Sequence, residues 1–90
     1  MNISNEMLNL LEQQILHENQ NANLYLLISS RLRNKGLDII ADFFKKEAEG
    51  EMGHRQIIIS YLEDRGIDYT MLTIDNMDYN YTNLTSLGVS

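Results

Sequence analysis

Two proline-free stretches, each about 28 residues long, repeat apolar residues at three- and four-residue spacing and meet at Asn34-Lys35-Gly36-Leu37. Spacing of that kind lines one face of an α-helix, and the absence of proline leaves nothing to break it. In the first stretch the stripe runs Leu8, Leu11, Ile15, Glu18, Ala22, Tyr25, Ser29 and Leu32, widened toward its end by Leu24, Leu26, Leu27 and Ile28. Ser4 is a suitable N-cap, Ile3 and Leu8 are placed for a hydrophobic staple, and Glu6 lies in the first turn. In the second stretch the stripe runs Ile40, Phe44, Glu47 or Ala48, Glu51, His54 or Arg55, Ile58, and Tyr61 or Leu62. Asp38 is the expected N-cap there, and Gly36 and Gly66 are the expected helix stops.

The expected elements are one helix over about 5–33 and another over about 38–65, so residues 1–66 form a helical hairpin. Equal lengths of roughly 42 Å, joined by a short turn, dictate an antiparallel all-α arrangement. Two helices cover only one side of each other, and a long hairpin alone is marginal. The expected fold is therefore half of a four-helix bundle, completed by another hairpin: a second copy of this chain, a separate C-terminal half, or a continuation of this chain. Residues 67–90, IDYTMLTIDNMDYNYTNLTSLGVS, are rich in Asn, Thr and Tyr and read as a crossover segment or a tail.

Both stripes are interrupted at one level by residues unsuited to a plain core. Glu18 stands between Ile15 and Ala22, where burial without compensation is costly. Glu51 and His54 are three apart, so they project from one side of their helix. Counted from the joint, Glu18 lies about seventeen residues back and Glu51 about fifteen forward, so folding the hairpin brings them level within about a turn. A carboxylate and an imidazole projecting inward from one helix, with a lone glutamate from its neighbour, is a carboxylate metal arrangement. These hard donors, with no thiolate, suit Fe(II), Fe(III) or Mn(II), and Zn(II) less selectively.

Other residues near that level divide between chemistry and packing. Tyr25, two turns from Glu18 on the same face, can hydrogen-bond a ligating carboxylate or act as a redox-active phenol, or simply fill the core. Glu18 can instead pair with Arg55. His17 points about 100° away and reads as a surface residue; Glu49 faces solvent, and Glu47 is either an outer carboxylate or part of an exposed ladder. Phe43, Phe44, Ile57, Ile58 and Ile59 read as core or inter-subunit packing. Gly50 and Gly53 each cost about 0.8–1 kcal/mol relative to alanine inside a helix, and close helix contact is a candidate reason for them.

Composition narrows the function classes. The chain has no cysteine, which excludes disulfides and thiolate metal sites. Its net charge is −6, with all 7 basic residues between Arg31 and Arg65. An acidic chain without a basic stripe is a poor partner for nucleic acid or an anionic membrane. The N-terminus MNISNEMLNL lacks the basic and apolar regions of a signal peptide, no window is apolar enough to span a bilayer, and a cytoplasmic setting is expected.

The run GLDIIADFFKKEAEGEMGHRQIIISYLEDRG, residues 36–66, resembles helix B of bacterial non-haem ferritins, and LEQQILHENQNANLYLLISSRL, residues 11–32, resembles their helix A. The tail is similar to the crossover that follows. The resemblance implies that Glu18 and Tyr25 stand on the family's ferroxidase glutamate and tyrosine, Glu51 on its bridging glutamate and His54 on its histidine ligand. It implies iron binding and storage, with oxidation of Fe(II) to Fe(III) by O2 or peroxide at a carboxylate-bridged di-iron centre. It also implies a homo-oligomer, up to a hollow shell of 24 subunits. Helices C and D, which supply the family's remaining glutamates, have no counterpart here. Gly50 occupies the place where many bacterial members carry a carboxylate for an additional iron site, so that site is not expected. Met52 coincides with the methionine of haem-containing relatives, but its flanks resemble the non-haem ones, and haem is not expected. The competing expectation is a non-catalytic, truncated ferritin-like hairpin acting in assembly.

Overall fold

The computed structural model describes residues 3–73, in which two helices, α1 (Asn5–Asn34) and α2 (Asp38–Asp64), pack antiparallel as a hairpin. At 1.5 Å each, the thirty residues of α1 span roughly 45 Å, which sets the length of the hairpin.

Local chemistry sets the helix ends. Ser4 caps α1, its hydroxyl accepting a 3.0 Å hydrogen bond from the Met7 amide. At the other end Gly36 takes φ +79°, its amide donating to the Arg33 carbonyl at 2.9 Å while Leu37 N–H reaches back to the Leu32 carbonyl at 3.0 Å. Gly66, at φ +63°, closes α2 in the same way against Glu63 and Leu62. Only glycine enters that left-handed turn without strain, and the turn pairs carbonyls that would otherwise be orphaned. The start of α2 differs from expectation. Leu37 occupies the cap position and makes no side-chain cap bond, while Asp38 is the first helical residue. The turn that ends α1 delivers the chain straight into α2, so Asp38 acts from inside the first turn, where its charge complements the helix dipole and lies 3.7 Å from Arg33 Nη1.

Toward the joint the helices enclose an apolar cluster of Leu24, Ile28 and Phe44, with Tyr25 and Leu32 packed against it. Small residues let the backbones approach here: the Ser29 hydroxyl donates to the Ala41 carbonyl at 2.7 Å, so the buried serine leaves no unmet polar group. This contact corrects the expected α2 stripe at its start, because Ala41 is sealed against α1 whereas Ile40 is exposed. Further along, Ala48 and Leu62 are buried while Glu47 and Tyr61 are exposed, and Arg55 is half-buried while His54 is exposed. Each alternative left open by the sequence thus resolves to the later residue facing α1.

The earlier residues form a second seam. Ile40, Phe43, Glu47, Gly50, His54, Ile57 and Tyr61 follow the same three-four spacing, each one residue (about 100°) behind a buried or half-buried neighbour, and all are exposed. At the end of the hairpin far from the joint this seam adjoins Ile3, Met7 and Leu11 in an apolar groove of about 490 Å³.

After Gly66 the chain turns back along α1, where the Thr70 amide donates to Glu12 Oε2 at 2.7 Å and the Asn19 side-chain amide meets Met71 Sδ at 3.4 Å. The remainder of the expected crossover or tail, residues 74–90, lies outside the described residues. No described helix is long and apolar enough to cross a membrane.

Candidate metal centre

The site lies at mid-length, where the buried face of α1 meets α2. Glu18 sits on that face of α1 between Ile15 and Ala22, both buried, and is itself only 5% exposed. A carboxylate there has lost most of its water and needs donors or a cation in exchange. One oxygen, Oε1, accepts from Gln14 Nε2 at 3.2 Å, one helical turn earlier. The other, Oε2, lies 3.4 Å from His54 Nδ1 on α2. Helical periodicity supplies the third member, because Glu51 projects one turn before His54 on the same side. Glu51 is half-buried, and the His54 side chain is 66% exposed.

Glu18, Glu51 and His54 each offer one ligand atom, and these atoms all lie within 4.8 Å of one another. Ligands on one ion at about 2.1 Å stand at most roughly 4 Å apart, so a small inward rotation suffices to share a cation, and the exposed His54 ring has the freedom to make it. The donor set is two carboxylates and one imidazole, which fits iron or manganese. Three donors leave half of an octahedral shell open, and two ions would need more carboxylate than these three residues supply.

The neighbours supply context. Arg55 does not neutralise Glu18 as the alternative reading had it; its Nη1 donates to Asn19 Oδ1 at 2.9 Å, on the side of α1 nearer the returning chain. Tyr25 is half-buried, its ring centroid 5.9 Å from that of Phe44. Burial, then the charge of Glu51 and that of Glu47, hold its phenol above the usual tyrosine range. The phenol therefore senses the carboxylates of this level. His17, Glu47 and Glu49 are exposed. Gln14 was not singled out from sequence; it stands in the polar run Glu12-Gln13-Gln14, and its spacing of four residues from Glu18 is the one signal that distinguishes it. At Gly50 and Gly53 an added Cβ would meet nothing within 4 Å, so helix contact inside the hairpin does not explain either glycine.

Comparison with protein families matches residues 8–86 to the ferritin-like domain. Two proteins of Bacteroides fragilis, from strains 638R and YCH46 and each named a bacterial non-heme ferritin, are 34% identical over 64 residues. That alignment covers 71% of this chain and 40% of each relative, so the chain spans well under half of their length. No solved structure matches at a significant level.

Proposed function

The chain belongs to the ferritin-like domain family, and on that premise we propose that it binds iron as substrate and cargo through Glu18, Glu51 and His54. In this reading the three residues are half of a carboxylate-bridged di-iron centre, which a second hairpin completes. The completed centre oxidises Fe(II) to Fe(III) with O2 or peroxide and feeds storage of ferric iron in a homo-oligomer, up to a closed shell. The cytoplasm, where reductants keep iron ferrous, is the setting this reading expects.

The observation that carries the proposal is the convergence of three hard donors from two helices on a buried carboxylate. Glu18 loses hydration on folding, and a divalent cation is the ligand that restores its charge balance. The negative carboxylates favour the ferric over the ferrous ion, because the extra positive charge interacts more strongly with them. Glu51, one turn from His54 and only half-buried, is placed to bridge toward a second ion. His54 supplies the softer nitrogen donor, and Tyr25, whose phenol is held above the usual tyrosine range by burial and then by the charges of Glu51 and Glu47, is the residue this reading assigns to hydrogen-bonding a ligating carboxylate.

A second reading, a non-catalytic hairpin that acts in assembly, has its own support: one hairpin brings three donors, and a ferroxidase needs more. Anaerobic Fe(II) titration followed by stopped-flow oxidation separates the two. The ferroxidase reading expects saturable Fe(II) uptake and rapid oxidation that Glu18→Ala and His54→Ala each abolish, with Tyr25→Phe slowing oxidation but retaining uptake. Oxidation kinetics unchanged in Glu18→Ala and His54→Ala would refute it.

A further inference from the structure

The second seam of α2 has no partner within the hairpin. Near the joint it presents Ile40 and Phe43, 47% and 51% exposed; far from the joint it presents Ile57 and Tyr61, 70% and 36% exposed. Between these apolar ends lie Glu47, Gly50 and His54. A stripe with helical spacing, apolar at both ends and ionisable in the middle, is the pattern of a bundle interior rather than of a wet surface.

Its position along the helix says what kind of partner fits. Thirteen residues of α2 precede Glu51 and thirteen follow it, and Glu18 is likewise close to the middle of α1. A two-fold axis normal to the helices at this level would therefore overlay two whole hairpins end for end, with their donor sets facing each other. In the antiparallel α2 pair so formed, Ile40 of one chain is level with the partner's Tyr61, Phe43 with the partner's Ile57, and Glu47 with the partner's His54. The joint-end side chains would enter the 490 Å³ groove at the partner's far end, which Met7, Leu11, Ile57 and Tyr61 line. Gly50 falls next to the axis. It has nothing within 4 Å of an added Cβ in the hairpin, and the closest approach of two α2 helices would supply the reason for a glycine there. A site displaced toward either end of the hairpin would lose this registry.

We propose that the open seam docks a second copy of this chain, and that cations held by Glu18, Glu51 and His54 are shared across the contact, so that cation binding and pairing strengthen each other. The inference rests on the metal reading above and adds the identity of the partner. Pairing doubles the donor set to four glutamates and two histidines, which suffices for two ions. It is an isologous contact, in which one patch covers its own copy. The coupling follows from the exposure of His54 and the half-exposure of Glu51: an ion seated on one hairpin has open positions toward the partner, and filling them links uptake to association.

The test uses the 90-residue chain with Zn(II), which binds such donors without redox chemistry, followed by sedimentation velocity and native mass spectrometry. The expected result is a dimer carrying one Zn(II) per chain, with dissociation at least about tenfold weaker in Zn(II) than in EDTA. Ile57→Glu, at an exposed position where circular dichroism can verify that the hairpin persists, should abolish the dimer and weaken Zn(II) binding at least about tenfold. Met52→Glu, two residues before His54 and so about 200° around the helix from it, should change neither. A monomer that binds Zn(II) normally overturns the pairing and leaves the metal reading standing; the seam then belongs to a different hairpin. A dimer equally tight in EDTA and Zn(II) overturns the coupling. Absence of Zn(II) uptake in any assembly state refutes the metal reading itself, and with it the shared site.

Discussion

Toward the joint, α1 and α2 enclose Leu24, Ile28 and Phe44 and satisfy their one buried hydroxyl through Ser29 and Ala41. At mid-length the same two faces carry Glu18, Glu51 and Arg55, and the adjoining α2 seam presents His54 to solvent. The first region is a finished core, with apolar atoms against apolar atoms and its buried serine hydroxyl paired. The second is an interrupted core, in which a buried carboxylate faces a half-buried carboxylate and an exposed imidazole. The contrast teaches that this hairpin separates the residues that hold it together from those proposed to bind a cation. Changes at the joint should be felt as stability, and changes at mid-length as affinity.

The largest expected effect tests the first half of that contrast. Phe44→Ala removes the aromatic centre of the joint cluster and should cost about 3–5 kcal/mol, enough to melt much of a free hairpin. Circular dichroism melting measures it, and a loss under about 1 kcal/mol would mean that the joint is not the stabilising region. Glu18→Gln probes the other half. It keeps the shape and the Gln14 contact but removes the charge, so the metal-free chain should be as stable as the parent or more so, while Zn(II) affinity falls at least about tenfold, or 1.4 kcal/mol. Calorimetric titration reads the affinity; a destabilised chain with unaltered affinity would invert the assignment.

Gly50→Ala sharpens the comparison at the site's edge. With open space around the added methyl, the isolated hairpin should gain about 0.8–1 kcal/mol from helix propensity. If the seam pairs as proposed, the same substitution weakens association, and the opposite signs are readable by melting in EDTA and sedimentation in Zn(II). The smallest effect belongs to the exposed Arg33–Asp42 pair beside the joint. The hydrogen bond from Arg33, then its charge, holds the Asp42 carboxyl below its ordinary range. A depressed carboxyl contributes stability that is present above the ordinary carboxylate pKa and is lost as pH falls through the lowered value. Asp42→Asn should therefore lower the melting temperature slightly at neutral pH, with the difference from the parent vanishing in strong acid. A difference that survived there would have to come from something other than charge. Surface pairs of this kind contribute little, so the joint owes its strength to its apolar atoms.

How much of this was readable in the chain depends on the range of the interaction involved. The spacing of Leu8 to Leu32 and of Phe44 to Leu62 specified two helices, Gly36 and Gly66 specified their stops, and the polar breaks at Glu18, Glu51 and His54 marked the level of the site. These are properties of neighbours within one or two turns, and dihedral preferences and periodicity express them without help from the rest of the molecule. Asp38 was misread as a cap because the turn closing α1 leads directly into α2, a geometry that composition does not reveal. Tertiary packing alone decided between Glu47 and Ala48, His54 and Arg55, Tyr61 and Leu62, since a broad apolar stripe has no single direction until a second helix lies against part of it. The same packing buried Glu18, left His54 in water and drew three donors from two helices to within 4.8 Å. The sequence by itself determined which residues share a helix face; only the docking of α1 on α2 decided how deep each would lie, because depth depends on atoms distant in the chain and periodicity does not.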